Sequence, residues 1–264
     1  LPGEIMARLP MLPPVKSESM ESIFSDFREI ILPGITHWQS PDFYAYFPAN
    51  GSFPSILGEM LTAALGAQCM IWETSPAAAE LEERVMDWLK QMIGLPASWS
   101  GVIQDTASTS TLAAILSARE RYFDFRINEA GFASHEGLRV YCSTETHSSI
   151  EKAIKIAGIG RQHLVKVRVD EQFRMDADAL RKAIINDIEL GLKPCCVVAT
   201  LGTTGTTSVD PLAEIAAICH EYNIWLHIDG AYGGTALLLP EYRWMIKGIE
   251  QADSFVFNPH KWMF

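Results

Sequence analysis

The sequence predicts an α/β protein with a mostly parallel sheet, and three observations lead there. Five short β-type runs, at residues 139–143, 164–169, 196–200, 224–228 and 254–257, recur about 25 to 30 residues apart, the length of one strand–helix–strand unit. Segments with helical periodicity lie between them, at 149–157, 177–190, 211–222 and 241–251. The runs themselves are nearly all apolar, such as Cys-Val-Val-Ala-Thr at 196–200, as strands covered on both faces should be.

Taken in chain order, the first 50 residues are rich in proline (Pro2, Pro10, Pro13, Pro14, Pro33, Pro41, Pro48). They read as an extended arm, residues 1–50, carrying one short helix over 20–31. Residues 51–264 then form the main domain. A helix is expected over Phe53–Leu65 and a stronger one over Pro76–Ile93, where Leu81, Val85, Trp88, Leu89 and Met92 make one stripe. Ser75 would cap that helix, with Pro76 in its first turn. Residues 101–111 read as a short strand running into a loop of small hydroxyl residues, with a helix over 112–122. Further on, Asp176 and Asp210 stand where N-caps belong and Pro211 at a first helical position; Gly158 and Gly191 end two helices.

Composition narrows the partners. With 21 Lys+Arg against 32 Asp+Glu the net charge is −11, which argues against nucleic acid or an anionic membrane as the main partner. A hydrophobic fraction of 48% excludes wholesale disorder. No uncharged apolar run reaches the ~18 residues needed to span a bilayer, and the first residues lack a charged-then-apolar signal pattern. Five cysteines without a Cys-x-x-Cys pair read as reduced thiols, so a cytoplasmic protein is expected.

In open α/β sheets, ligands bind beyond the carboxyl ends of the strands. His147, Thr200, Asp229, Asn258, His260 and Lys261 should gather there. No Gly-x-Gly-x-x-Gly, P-loop, His-Glu-x-x-His or Gly-x-Ser-x-Gly pattern occurs, which lowers the nucleotide, zinc-peptidase and hydrolase readings. His227 and Asp229 could ligate a metal, but a packed histidine beside a working carboxylate is the favoured reading, and no metal is expected. The hydroxyl-rich stretch 106–111 ahead of a helix could cradle a phosphate. Lys261, bounded by aromatics, could form a Schiff base. A lysine, a carboxylate and an anion site together are what pyridoxal phosphate requires.

The residues also resemble a family. His37-Trp-Gln-Ser-Pro, Ser75-Pro-Ala-Ala-Ala-Glu-Leu-Glu, Gly101-Val-Ile-Gln-Asp-Thr-Ala-Ser, Thr146-His-Ser-Ser, Val198-Ala-Thr-Leu-Gly-Thr-Thr, Trp225-Leu-His-Ile-Asp-Gly-Ala-Tyr and Phe257-Asn-Pro-His-Lys-Trp run collinearly with group II pyridoxal-phosphate-dependent amino-acid decarboxylases. The chain most resembles the aromatic-L-amino-acid decarboxylases. That resemblance implies a fold type I, transferase-like large domain preceded by an extended, partly helical arm, and a homodimer. It implies Lys261 as the Schiff-base lysine, Asp229 as partner of the pyridinium nitrogen, Ala231 against the ring and His147 stacked on it. Thr106, Ala107, Ser108 and Asn258 would hold the phosphate, Thr200 would touch the cofactor and His260 would lie near the lysine. Tyr46, Phe47, Pro48 and Ala49 would line the substrate pocket, and Trp72 would lie in a segment crossing the dimer interface. The expected reaction is decarboxylation of an aromatic L-amino acid to its amine.

Ala49 stands where animal members carry threonine, and Gly230 where alanine is commoner. The sequence stops at Phe264, three residues past the lysine, where the family continues with a mobile loop and a small C-terminal domain; it therefore reads as a piece of a longer polypeptide. An aromatic aldehyde synthase, a glutamate or cysteine-sulfinate decarboxylase and an inactive truncated chain are the rival readings.

Overall fold

The computed structural model describes residues 3–132 and 137–263. They form two compact units, Leu1–Ala49 and Asn50–Phe264. In the first, helix α1 (Glu4–Arg8) precedes α2 (Met20–Asp26), whose N-cap Ser19 accepts the Ser22 N–H. The expected single helix over 20–31 widens after Asp26 into a π-helical turn, Phe27–Ile31, and then a 3-10 turn, Leu32–Gly34, that holds Pro33. Trp38 stacks on Phe43 and Tyr46, with ring centroids 5.1 and 5.3 Å apart.

The second unit opens with α3 (Phe53–Leu65), α4 (Pro76–Ile93), α5 (Ala107–Tyr122) and α6 (Arg126–Ala130). Ser52 and Ser55 form a reciprocal capping box at the start of α3. From there strands and helices alternate: β1 (Leu138–Ser143), α7 (Ser149–Ile156), β2 (Leu164–Val167), α8 (Ala177–Glu189), β3 (Lys193–Thr200), α9 (Leu212–Glu221), β4 (Trp225–Asp229), β5 (Ser254–Val256) and the short α10 (Pro259–Trp262). All strand pairs are parallel, in the order β2-β1-β3-β4-β5. The chain reverses its direction across the sheet at β1 and β3, which opens a crevice between their carboxyl ends.

Strand periodicity sorts the side chains onto two faces. Val140, Cys142, Cys196 and Val198 pack with Ile115 and Ala118 of α5 and Ile150 and Ile154 of α7. Tyr141, Val197, Ala199, Leu226 and Ile228 pack with Leu180 and Ile184 of α8 and Ile215 and Cys219 of α9. Most of these side chains are wholly shielded, and each large one contributes about 1.5–3 kcal/mol of burial. Among the described residues, no helix is long and apolar enough to cross a membrane. Cys69 is exposed; the other four cysteines are buried and unpaired.

Several local expectations need correction. Residues 241–251 are not one helix but two 3-10 segments, Pro240–Ile246 and Ile249–Gln251. Gly248 separates them at φ +94°, where an added Cβ would stand 3.0 Å from Ala213 Cα, so the chain must turn rather than coil on. No strand forms at 101–105, and α5 starts at Ala107, not 112, because Thr106 caps it by accepting the Thr109 N–H at 3.2 Å. Asp176 does cap α8, but Asp210 caps nothing: its buried carboxylate accepts the Met175 and Thr200 N–H groups at 2.7 and 2.8 Å. Pro211 accordingly precedes α9 rather than opening it. Ser75 makes no capping bond, although Pro76 begins α4 as expected.

Candidate active site

Register places the working residues. Thr200, the last residue of β3, pairs with Asp229, the last of β4, and Asp229 pairs in turn with Val256 of β5. Thr200 and Asp229 project from the face that α5 and α7 cover, and both are about 95% shielded. His147 follows β1 by four residues, on the turn into α7. Lys261 arrives after β5 on the single turn of α10. The crevice beside β1 and β3 is therefore walled by residues from four separate chain segments.

Backbone bonds knit the ends together. The Ala231 N–H donates to Asp229 Oδ1 at 3.0 Å, and the Asn258 N–H donates to the Ala231 carbonyl at 3.3 Å. The Lys261 N–H donates to the Asn258 carbonyl at 3.2 Å. The Trp262 indole N–H donates to the Tyr232 carbonyl at 2.8 Å while its ring packs on the Tyr232 ring. Asn50 clasps the lysine turn from outside: its N–H donates to the His260 carbonyl at 2.9 Å and its side-chain amide to the Lys261 carbonyl at 2.8 Å. The turn after β4 lies close against β3, since a Cβ on Gly233 would stand 2.5 Å from the Leu201 carbonyl oxygen. Only glycine permits that approach.

Three titratable groups sense one another there. Burial raises the Asp229 carboxyl, opposed by the Ala231 N–H and by the charges of Lys261 and His147. Burial lowers the Lys261 amine, with Asp229 opposing. His147 lies open to solvent at its edge, yet the chain around it desolvates the imidazole enough to hold it below its ordinary value; Lys261 and Lys152 push the same way and Asp229 opposes. The Ser149 N–H, which can only donate, points at His147 Nδ1 at 3.2 Å, with Ser149 Oγ at 2.9 Å. Nδ1 is thus the acceptor, and the neutral ring carries its proton on Nε2.

Residues 106–108 occupy the start of α5. With Thr109 capped by Thr106, the amides of Ala107 and Ser108 have no acceptor among the described residues, and the positive end of the helix dipole faces outward. The Thr200 hydroxyl, buried beside Asp229, also lacks a hydrogen-bond partner among the described residues. An orphaned hydroxyl of this kind is costly unless something polar meets it. A lysine of lowered pKa, a carboxylate, a partnerless hydroxyl and free helix-start amides fit the aldehyde, ring nitrogen and phosphate of pyridoxal phosphate.

Other expected residues stand elsewhere or play another part. Tyr46, Phe47, Pro48 and Ala49 belong to the first unit, where Tyr46 is exposed at φ +62° and the Gln39 amide bonds the Ala49 carbonyl. Trp72 is exposed on a 3-10 turn, Trp72–Thr74, that leads into α4. His260 presents its carbonyl, not its exposed ring, to Asn50. His227 is a packed histidine: both ring nitrogens bond hydroxyl groups, so neither is open to a metal. Asn50, Ser149 and Asp210 are the members sequence reasoning missed. The first two lie inside or beside the motif stretches, within three residues of Phe47 and His147, and carry no chemistry of their own. Asp210 stands where the sequence alone suggests a cap.

Comparison with known proteins identifies relatives of the chain. Residues 2–264 match the family model described as the pyridoxal-dependent decarboxylase conserved domain. Human histidine decarboxylase is 46% identical over 278 residues, covering 99% of this chain and 41% of that protein. Bovine aromatic-L-amino-acid decarboxylase is 44% identical over 274 residues, covering 99% and 56%. The crystal structure of tryptophan decarboxylase from Catharanthus roseus, in complex with L-tryptophan, superposes with a TM-score of 0.94 at 40% identity, covering 100% of this chain and 56% of that one. The chain spans about half the length of the curated relatives it matches. It belongs to the pyridoxal-dependent decarboxylase family, whose cofactor is pyridoxal phosphate.

Proposed function

From that membership we propose that the enzyme carrying this chain decarboxylates an aromatic L-amino acid to the corresponding amine and CO2. The grouping of Lys261, Asp229 and His147 at the strand ends, each within reach of the others' charge, carries the reading. Bound there, pyridoxal phosphate supplies an electron sink for the pair left on Cα when CO2 departs. Lys261, whose charged form burial disfavours, would present its Nζ to the cofactor aldehyde. Asp229 is poised to take up a cation: a protonated ring nitrogen against it would offset the burial that raises its pKa and hold it charged. His147, with its proton on Nε2, would lie against the cofactor ring and hold that proton ready for transfer. The amides of Ala107 and Ser108, with Thr106 and Asn258, would hold the phosphate, and Thr200 would donate to the cofactor.

We place Tyr46, Phe47, Pro48 and Ala49 at the substrate, and Trp72 at the interface of a cytoplasmic homodimer. The exposed apolar side chains of α3, including Phe53, Met60, Leu61 and Leu65, support such an interface. A second substrate reading is L-histidine, favoured by the 46% identity to human histidine decarboxylase. Product analysis by mass spectrometry tests both. The 264-residue chain and the longest polypeptide that contains it would be incubated with pyridoxal phosphate and L-DOPA, L-tyrosine, L-tryptophan, L-phenylalanine, L-histidine or L-glutamate. An aromatic amine supports the proposal and histamine the second reading. An aldehyde with ammonia moves the protein to the synthase class, and no product from either polypeptide defeats the decarboxylase reading.

A further inference from the structure

His227 lies two residues before Asp229 on β4 and is 1% exposed. Its ring joins three elements. Nε2 meets Thr111 Oγ1 of α5 at 3.2 Å, and Nδ1 meets Ser254 Oγ of β5 at 2.8 Å. Ser254 Oγ also accepts the Trp225 indole N–H at 2.9 Å, which pins the serine in place. Burial pushes the imidazole down to about 4, so the ring is neutral at physiological pH and its bonds carry no charge. The contacts of Ile115 and Ala118 of α5 with the sheet are apolar, and such packing is non-directional. At the far end of the helix Arg121 pairs with Asp253 and lies over the Trp225 ring, 5.2 Å from its centroid. Among the described residues the Thr111 bond is the directional tie to the sheet nearest the start of α5.

The position of the Thr111 bond matters more than its presence. Thr111 is the fifth residue of α5, so it stands roughly 6 Å along the axis from the Ala107 amide. His227 stands roughly 7 Å along β4 from Asp229. That bond, the directional tie nearest the site, links the end that takes the phosphate to the end that takes the ring nitrogen, across two rigid elements. Pyridoxal phosphate is a flat ring with a short arm and cannot stretch to follow a helix that slides.

We propose that His227 is a positioning residue that sets the spacing between the helix-start amides of Ala107 and Ser108 and the carboxylate of Asp229, and so makes the site selective for a ring bearing a phosphate. The inference rests on the cofactor placement proposed above. Its test compares the affinities of pyridoxal 5′-phosphate and of pyridoxal, measured by quenching of tryptophan fluorescence in the longest polypeptide containing this sequence. Wild-type protein prefers the phosphate ester. In His227→Leu that preference shrinks by about tenfold, the worth of one buried hydrogen bond, while pyridoxal binding changes less than about twofold. Thr111→Val gives the same loss from the helix side, and the double variant loses no more than either single one. His227→Gln, able to reach one partner, recovers part of the preference. If His227→Leu does not fold, the near-isosteric Thr111→Val decides. An intact preference in the folded variants, with only a lower Tm, overturns the inference and makes His227 a packing group. A wild-type protein with no preference for the phosphate ester overturns the placement of the phosphate itself, and the inference with it.

Discussion

On β4, Leu226 and Ile228 point into the layer of α8 and α9, while His227 and Asp229, their alternating neighbours, point towards α5. β3 repeats the contrast at its end, where Ala199 joins the first group and Thr200 the second. At the strand ends one face holds only apolar side chains, its polar contact being the Tyr141 hydroxyl that donates to Asp187 of α8 further back at 2.7 Å. The other changes, within two residues of the strand ends, from packing to hydrogen bonding and then to charge. Sequence period 2 allows this: a strand can give every other residue to stability and the rest to chemistry without the two uses competing for one position. Substitutions on the two faces should therefore fail differently.

The largest separation is all-or-none. Lys261→Ala leaves the fold intact and abolishes the borohydride-fixed cofactor adduct seen by intact-mass spectrometry; an adduct that persists on another lysine ends the assignment. Next comes Asp229→Ala, which lowers turnover about 100- to 1000-fold with little change in urea midpoint. Should stability fall instead of turnover, the two faces are not distinct. Ile228→Ala, one residue away and facing α9, does the reverse: about 2–5 kcal/mol of unfolding free energy is lost and pyridoxal phosphate affinity holds.

Two buried titratable groups sharpen the comparison through pH. His227 in the folded chain titrates at about 4, below its ordinary 6.5, so its contribution is whole above about 6.5 and is lost as pH falls towards 4. Asp210 is pushed up to about 6 from 3.8, chiefly by burial, so its contribution is whole below about 3.8 and is lost as pH climbs through 6. Urea midpoints taken across this range should show opposite slopes removed by His227→Leu and by Asp210→Asn. The smallest effect is that of Ser149→Ala. Loss of the hydroxyl that donates to Nδ1 of neutral His147 raises its pKa, moving the acid limb of the pH–rate profile up by less than about one pH unit.

Much of this was legible in the sequence. The five strands, their parallel order and the gathering of His147, Thr200, Asp229 and Lys261 follow from spacing and from the rule for ligand sites at strand ends. What escaped did so for local reasons. The hydroxyl run at 106–111 looks like loop because serine and threonine favour turns over helix interiors, yet Thr106 caps the helix and Thr111 is buried in it. Asp210 sits at a capping position in the sequence, but the loop back from β3 swings its carboxylate inward to Thr200 and Met175, partners that no local pattern names. Asn50 holds the lysine turn across 211 residues of sequence, a distance that periodicity cannot reach.

The strand order also sets a timetable for synthesis on the ribosome. β2 can pair with β1 as soon as both have emerged, and β3 then closes the other side of β1; after that β4 and β5 each add to the newest edge. After β2 pairs with β1, the sheet grows from the β1 side in the order in which its strands are made, so each new strand meets a ready edge. Asp229, on β4, is therefore in place before Lys261, after β5, leaves the exit tunnel. On the cofactor placement proposed above, a cofactor caught by the nascent chain would first be held reversibly, by amides and charge, and be fastened by a covalent bond only when the turn of α10 folds.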